Sequence, residues 1–183
     1  MNDVSPSPTR PVIRTLFDEA CIARRTREMA RDIAAGDPKD LLAVAVLKGS
    51  FMFAADLLRA LHGAGLAPQV EFVHLSSYGA GAESSGTVRV VRDVESDVAG
   101  RDVLLVDDIL ESGRTLAFAR DLLLARGARR VLVAVMLEKP GKRAVPMEAE
   151  LVGFTCPDLF VVGYGMDAAH RFRQLPFIGV VEG

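Results

Sequence analysis

The chain is poor in cysteine and aromatic residues and has no tryptophan. Its two cysteines, Cys21 and Cys156, stand far apart, with no CxxC pair and no Cys/His metal spacing. That excludes a disulfide scaffold or zinc module and leaves two small buried hydrophobes in a reducing compartment. The three histidines, His62, His74 and His170, fit neither a catalytic triad nor a metal site. No apolar run approaches the ~20 residues of a membrane span. Met1–Pro11 carries Asp3 and three prolines and no apolar core, so it does not read as a signal peptide, and the expected location is the cytoplasm. No GxGxxG follows an apolar run and GxxxxGK[ST] is absent, which excludes dinucleotide-binding and P-loop chemistry.

What is present is ordinary globular material. The 183 residues are 50% hydrophobic and 25% charged, with 22 basic and 24 acidic side chains and a net charge of −2. One domain is expected, spanning 15–183 after a loosely ordered tail over 1–14, and a chain of this length typically buries roughly 70% of its unfolded surface. The balance of charge argues against a general nucleic-acid binder.

Helical and strand patterns alternate. Ile22, Met29 and Ile33 share one face of a predicted helix over Leu16–Ala35, which Gly36, Asp37 and Pro38 end. Leu41–Leu47 is continuously apolar, as a strand covered on both faces should be. Ser50 is a plausible N-cap for the helix that follows. Further strands are expected at Val70–Ser77, Val103–Val106, Val131–Leu137 and Leu159–Val162, with a short one at Val88–Val91 and a helix over Thr115–Arg126. This spacing implies an α/β fold: a five-stranded, mostly parallel sheet between helices, with a small hood from the chain ends. Tyr78–Thr87 is small, polar and glycine-rich and reads as a mobile loop.

Ligands of such sheets bind beyond the carboxyl ends of the strands. The segment Val103–Leu116, VLLVDDILESGRTL, places Asp107 and Asp108 at one such end. Glu111, Ser112, Gly113, Arg114 and Thr115 follow and open a helix. Backbone amides at a helix N-terminus, with glycine for close approach and hydroxyls nearby, make an anion site. Adjacent carboxylates beside a phosphate suit Mg²⁺ or sugar hydroxyls. The bland alternative is an acidic end that complements the helix dipole. A phosphoacceptor receiver domain would want its acid pair after the first strand, not the third.

Val106–Leu116 resembles the ribose-phosphate motif of the type I phosphoribosyltransferases. Leu47-Lys48-Gly49-Ser50 resembles the pyrophosphate loop of the hypoxanthine-guanine branch of that family, and Ser76-Ser77-Tyr78 with its glycine-rich sequel resembles the branch's mobile loop. Leu137–Pro140 and Leu159–Asp167 look like its purine segments, and Phe172-Arg173 completes the set. The resemblance runs from about Leu16 to Val181 with all elements in family order.

It implies Mg²⁺-dependent transfer of phosphoribose from 5-phosphoribosyl 1-pyrophosphate to a 6-oxopurine. Asp107 and Asp108 would hold ribose hydroxyls and Mg²⁺, and Asp167 a second Mg²⁺. Ser112, Gly113, Arg114 and Thr115 would cradle the 5′-phosphate. Lys48, Gly49 and Arg173 would meet pyrophosphate, at a loop where the family often carries a cis peptide. Ser77 and Tyr78 would belong to the mobile loop. Phe160 would stack on the purine, Val161 would offer backbone contacts, and Lys139 would donate to the 6-oxo group. Glu111 would exchange a proton with purine N7, where the branch usually has aspartate. Relatives are commonly homodimers or homotetramers.

Each residue taken singly has a plainer reading. Phe160 could be core, Lys48 a solvated strand end, Lys139 a loop lysine and Arg173 a surface residue. Glu111 and the clusters Arg24-Arg25-Arg27 and Arg129-Arg130 also admit a second class of function: a phosphoribosyl-pyrophosphate-sensing regulator that binds nucleic acid without catalysis.

Overall fold

The computed structural model of the chain describes residues 11–77 and 88–182, with Ser77 described by its backbone alone. Tyr78 and the rest of the expected mobile loop lie outside the described residues, as does most of the expected tail. A six-stranded sheet runs in the order β4 (Val88–Arg92), β3 (Gln69–Ser77), β2 (Leu42–Leu47), β5 (Asp102–Leu110), β6 (Arg130–Glu138) and β7 (Leu151–Thr155). All neighbours are parallel except the edge pair β3–β4. Helices α1 (Glu19–Ala35) and α2 (Phe51–Gly63) cover one face and α3 (Arg114–Ala125) the other.

The unbroken apolar runs follow from this double cover. In β5, Leu104 and Val106 pack into the layer with Ile22, Met29, Phe53 and Leu57, while Val103 and Leu105 join Leu116 and Leu123. Both faces are buried, so polar alternation disappears. No helix among the described residues is long and apolar enough to cross a membrane.

Three expectations are corrected. The sheet has six strands, and its outer position is filled by Leu151–Thr155, not by Leu159–Val162. β7 is short and interrupted by Gly153, where a Cβ would run into the Met136 carbonyl, so its apolar period is weak. Val161–Val162 (β8) instead pairs antiparallel with β9 (Ile178–Glu182), which also pairs with β1 (Val12–Phe17), forming the hood. Second, Leu16 and Phe17 end β1 instead of starting a helix, and β1 begins inside the expected tail. Asp18 caps α1, its Oδ1 accepting from the Cys21 N–H at 2.7 Å. Third, Ser50 sits at the start of α2, but its hydroxyl donates to the Val46 carbonyl at 2.6 Å and caps no amide. The buried hydroxyl therefore ties the helix to the strand before it.

Asp102, at the amino end of β5, is fully buried. It accepts from the Lys39 N–H at 2.8 Å and from the guanidiniums of Arg129 and Arg130. Burial opposes its charge, but these donors outweigh burial and hold the carboxyl below its ordinary value of 3.8. A depressed carboxylate contributes stability that is present above about pH 3.8 and lost as pH falls through the lower folded-state value. Asp102→Asn should cost about 2–3 kcal/mol in urea unfolding at pH 7, the scale of a lost charge-assisted hydrogen bond. The gap between parent and variant should narrow only in acid below that point.

Candidate active site

The carboxyl ends of β2, β5 and β6 open onto two adjoining cavities. The first, of about 270 Å³, is lined by Lys48, Gly49, Asp107, Asp108, Glu111, Ser112, Gly113 and Thr115. The second, of about 300 Å³, is lined by Asp108, Glu111, Lys139, Phe160, Val161 and Asp167. Asp108, Ile109 and Glu111 belong to both. Larger hollows lie elsewhere, one of about 510 Å³ against α1 and α2, but they lack this acid pair.

β5 runs straight through Asp107 and Asp108 into Leu110, so both acids sit on rigid strand. Asp107 is buried. Burial, then the neighbouring charge of Asp108, pushes its carboxyl well up. Burial also raises Asp108, against the opposing hydrogen bonds of Asp107 and the Ile109 N–H and the charge of Arg173. A buried and a half-buried carboxylate in this state need a cation or donor partners to ionise together. They fit a hard oxygen-seeking ion such as Mg²⁺, which takes few protein ligands and keeps other oxygens around it.

Opposite them, the Leu47–Lys48 peptide is cis, and Gly49 lies against Asp108. A Cβ on Gly49 would overlap the Asp108 carboxylate, and one on Gly165 would overlap the Gly49 carbonyl. Glycine is required here by close approach. Gly113, at φ +80°, turns the chain into α3, and a Cβ there would stand 2.8 Å from that of Met147. The first-turn amides of α3 have no intrahelical partners, the Arg114 N–H donating to Ser112 Oγ at 3.4 Å, and Ser112, Gly113 and Thr115 line the first cavity. Arg114 is not among the residues lining it.

In the second cavity Lys139 is buried, and its Nζ lies 3.5 Å from Glu111 Oε1. Phe160 is 64% exposed, which rules out the core reading of that residue. Val161 is buried in β8. Asp167 is held by Arg173 at 2.5 Å and by the His170 N–H at 2.7 Å. Arg173 also donates to the Gly165 carbonyl at 2.6 Å and lines neither cavity. Sequence reasoning passed over Ile109 and Met166 in the cavity walls and Arg143 behind them. Only the basic run Lys139–Arg143 could have pointed to the last.

Three arginines of the clusters, Arg25, Arg129 and Arg130, are engaged within the fold, while Arg24 and Arg27 are exposed. Arg25 donates to the carbonyls of Val152 and Gly153, Arg24 contacts Cys21 Sγ, and Arg129 and Arg130 serve Asp102.

A family model for the phosphoribosyl transferase domain matches residues 14–169. The chain belongs to the phosphoribosyltransferase family. It is 40% identical to the hypoxanthine phosphoribosyltransferase of Escherichia coli K12 over 92% of this chain and 95% of that one. Identity to the hypoxanthine-guanine phosphoribosyltransferase of Bacillus subtilis is 37%, over 92% and 93%. The crystal structure of a Staphylococcus aureus hypoxanthine phosphoribosyltransferase superposes with a TM-score of 0.87 at 36% identity, covering 92% of this chain and 91% of that one. As a phosphoribosyltransferase, the chain should tolerate no side chain at position 49. Gly49→Ala must displace Asp108, and misplacement on the ångström scale can cost about 10²-fold. Transferase activity should fall on that order while the melting temperature stays near that of the parent.

Proposed function

We infer that the chain transfers phosphoribose from 5-phosphoribosyl 1-pyrophosphate to hypoxanthine or guanine, releasing the nucleoside 5′-monophosphate and pyrophosphate. The observation that carries this reading is the shared wall of the two cavities. Asp108, Ile109 and Glu111 face both, so a sugar in the first and a base in the second would meet across a single short segment.

The backbone amides of Ser112–Thr115 hold the 5′-phosphate at the start of α3, where the helix dipole favours anions. Asp107 and Asp108 accept from the ribose hydroxyls. The same carboxylates would hold one Mg²⁺ and Asp167 a second, and the ions would neutralise charge on the departing pyrophosphate. Lys48 and the Gly49 amide receive that pyrophosphate, and Arg173 adds positive charge behind Asp108.

Lys139 donates to the purine 6-oxo group, and Phe160 offers an exposed ring for the base to stack on. Glu111 takes the N7 proton as N9 bonds to the sugar carbon that pyrophosphate leaves. Glutamate stands where this branch usually has aspartate, and its added methylene carries the carboxylate to Lys139. The donor to the 6-oxo group and the proton acceptor thus form one ion pair. Ser77 ends the strand that leads toward Tyr78, which lies outside the described residues.

Glu111→Gln keeps size and removes the proton acceptor. Positioned general-base catalysis is typically worth about 10²–10⁴-fold, so kcat for hypoxanthine should fall within that range. Calorimetric binding of phosphoribosyl pyrophosphate should survive. A variant as fast as the parent would move the proton transfer elsewhere.

Base choice is set by donor direction. Lysine only donates, a 6-oxo group accepts, and the 6-amino group of adenine donates. Adenine should therefore be a poor substrate in a coupled assay, and Lys139→Ala should narrow the difference between adenine and hypoxanthine. Equal turnover of the two bases by the parent would overturn the assignment.

A further inference from the structure

Beyond the acid pair and the purine wall, one side chain gathers the backbone of the site. Arg143 lies in the loop after β6 and reaches back beneath both cavities. Its Nη1 donates to the carbonyls of Leu110 at 3.0 Å, Glu111 at 2.7 Å and Lys139 at 3.3 Å. Its Nε donates to Met147 at 3.1 Å, and its Nη2 pairs with the Glu138 carboxylate. Leu110 is the last residue of β5 and Glu138 the last of β6. Glu111 and Lys139 are therefore the first residues past two neighbouring strand ends, where the last backbone bond between the strands is the Lys139 N–H to the Leu110 carbonyl at 3.0 Å. One guanidinium fork adds donors to the carbonyls beyond it, and a lysine ammonium, a single point of charge, cannot span them.

We propose that Arg143 is a positioning residue: it sets the two peptides from which Glu111 and Lys139 project, and so fixes the carboxylate–ammonium pair that meets the purine. The proposal rests on the transferase reading above. Its expected effect is larger on the base side, because Lys139 lines only the second cavity. The neighbouring Ser112 carbonyl has backbone donors of its own, the Ala144 N–H at 2.9 Å and the Val145 N–H at 3.4 Å, in the residues that follow Arg143. The phosphate loop therefore keeps its anchor when the guanidinium is removed. A filler of loop space would behave differently, because its loss would loosen Ser112 together with Glu111.

The test compares parent, Arg143→Ala and Arg143→Lys. Hypoxanthine turnover by the parent establishes the transferase reading independently, so failure of that reading shows before any variant is assayed. Arg143→Ala should lower kcat/KM for hypoxanthine by about 10²-fold, the scale of an ångström of misplacement. It should narrow the preference for hypoxanthine over adenine and leave calorimetric affinity for phosphoribosyl pyrophosphate as in the parent. Guanidinium ion added at concentrations far below those that unfold the protein should restore turnover in Arg143→Ala and not in the parent. Should Arg143→Ala fail to fold, Arg143→Lys carries the test, with a smaller loss that falls mainly on the base side. Parent-like base preference and turnover in the variants would overturn the proposal. So would an equal loss of phosphoribosyl pyrophosphate affinity, or an absence of guanidinium rescue in folded Arg143→Ala.

Discussion

At the carboxyl end of the sheet the backbone of Gly49 lies against the carboxylate of Asp108, with no room for a methyl group between them. The contact exists because β2 and β5 are hydrogen-bonded neighbours whose chains leave the sheet side by side. It forces an acid and a naked peptide into one small volume. That volume then holds a second acid, Asp107, and abuts the amide-rich start of α3. Gly165 presses on the Gly49 carbonyl from the hood, so this one approach also sets where the third layer sits.

The electrostatics follow from that packing. Burial lifts both aspartates toward the neutral form; the charge of Asp108 lifts Asp107 further, while hydrogen bonds from Asp107 and the Ile109 N–H and the charge of Arg173 pull Asp108 back. A site built so is costly while empty of cations and donors and gains most when a polyhydroxylated, cation-bearing ligand arrives. The opposite end of β5 is solved differently. There Asp102 is buried with its cations already in place and is held ionised. One strand thus carries, at its amino end, a carboxylate whose charge is balanced by two arginines and, at its carboxyl end, an acid pair that only backbone amides and the more distant charge of Arg173 offset.

Much of the chemistry was legible because it is local. Asp107 through Thr115 is a strand end, a turn and a helix start in consecutive residues, and spacing along the chain dictates the geometry. Lys48-Gly49 is local in the same sense. Phe160 was not legible: its sequence neighbours are apolar, and its exposure follows from the hood carrying it away from the main sheet. The strand at Leu151–Thr155 was missed because Gly153 breaks its pattern in order to pass the Met136 carbonyl. Ser50 was misread because capping and strand-tying hydroxyls look alike in sequence and differ only in which atom is near.

The α/β class, the doubly covered strands and the run of acids, glycine and hydroxyls at one strand end could be read along the chain, because each depends on periodicity or on neighbours within a few positions. Tertiary structure alone decided which strand closes the sheet, that Glu111 reaches Lys139, and that Arg143 ties their two strand ends together. These depend on which strands lie side by side, and parallel neighbours are joined by long crossovers, so residues that touch across the sheet are distant along the chain.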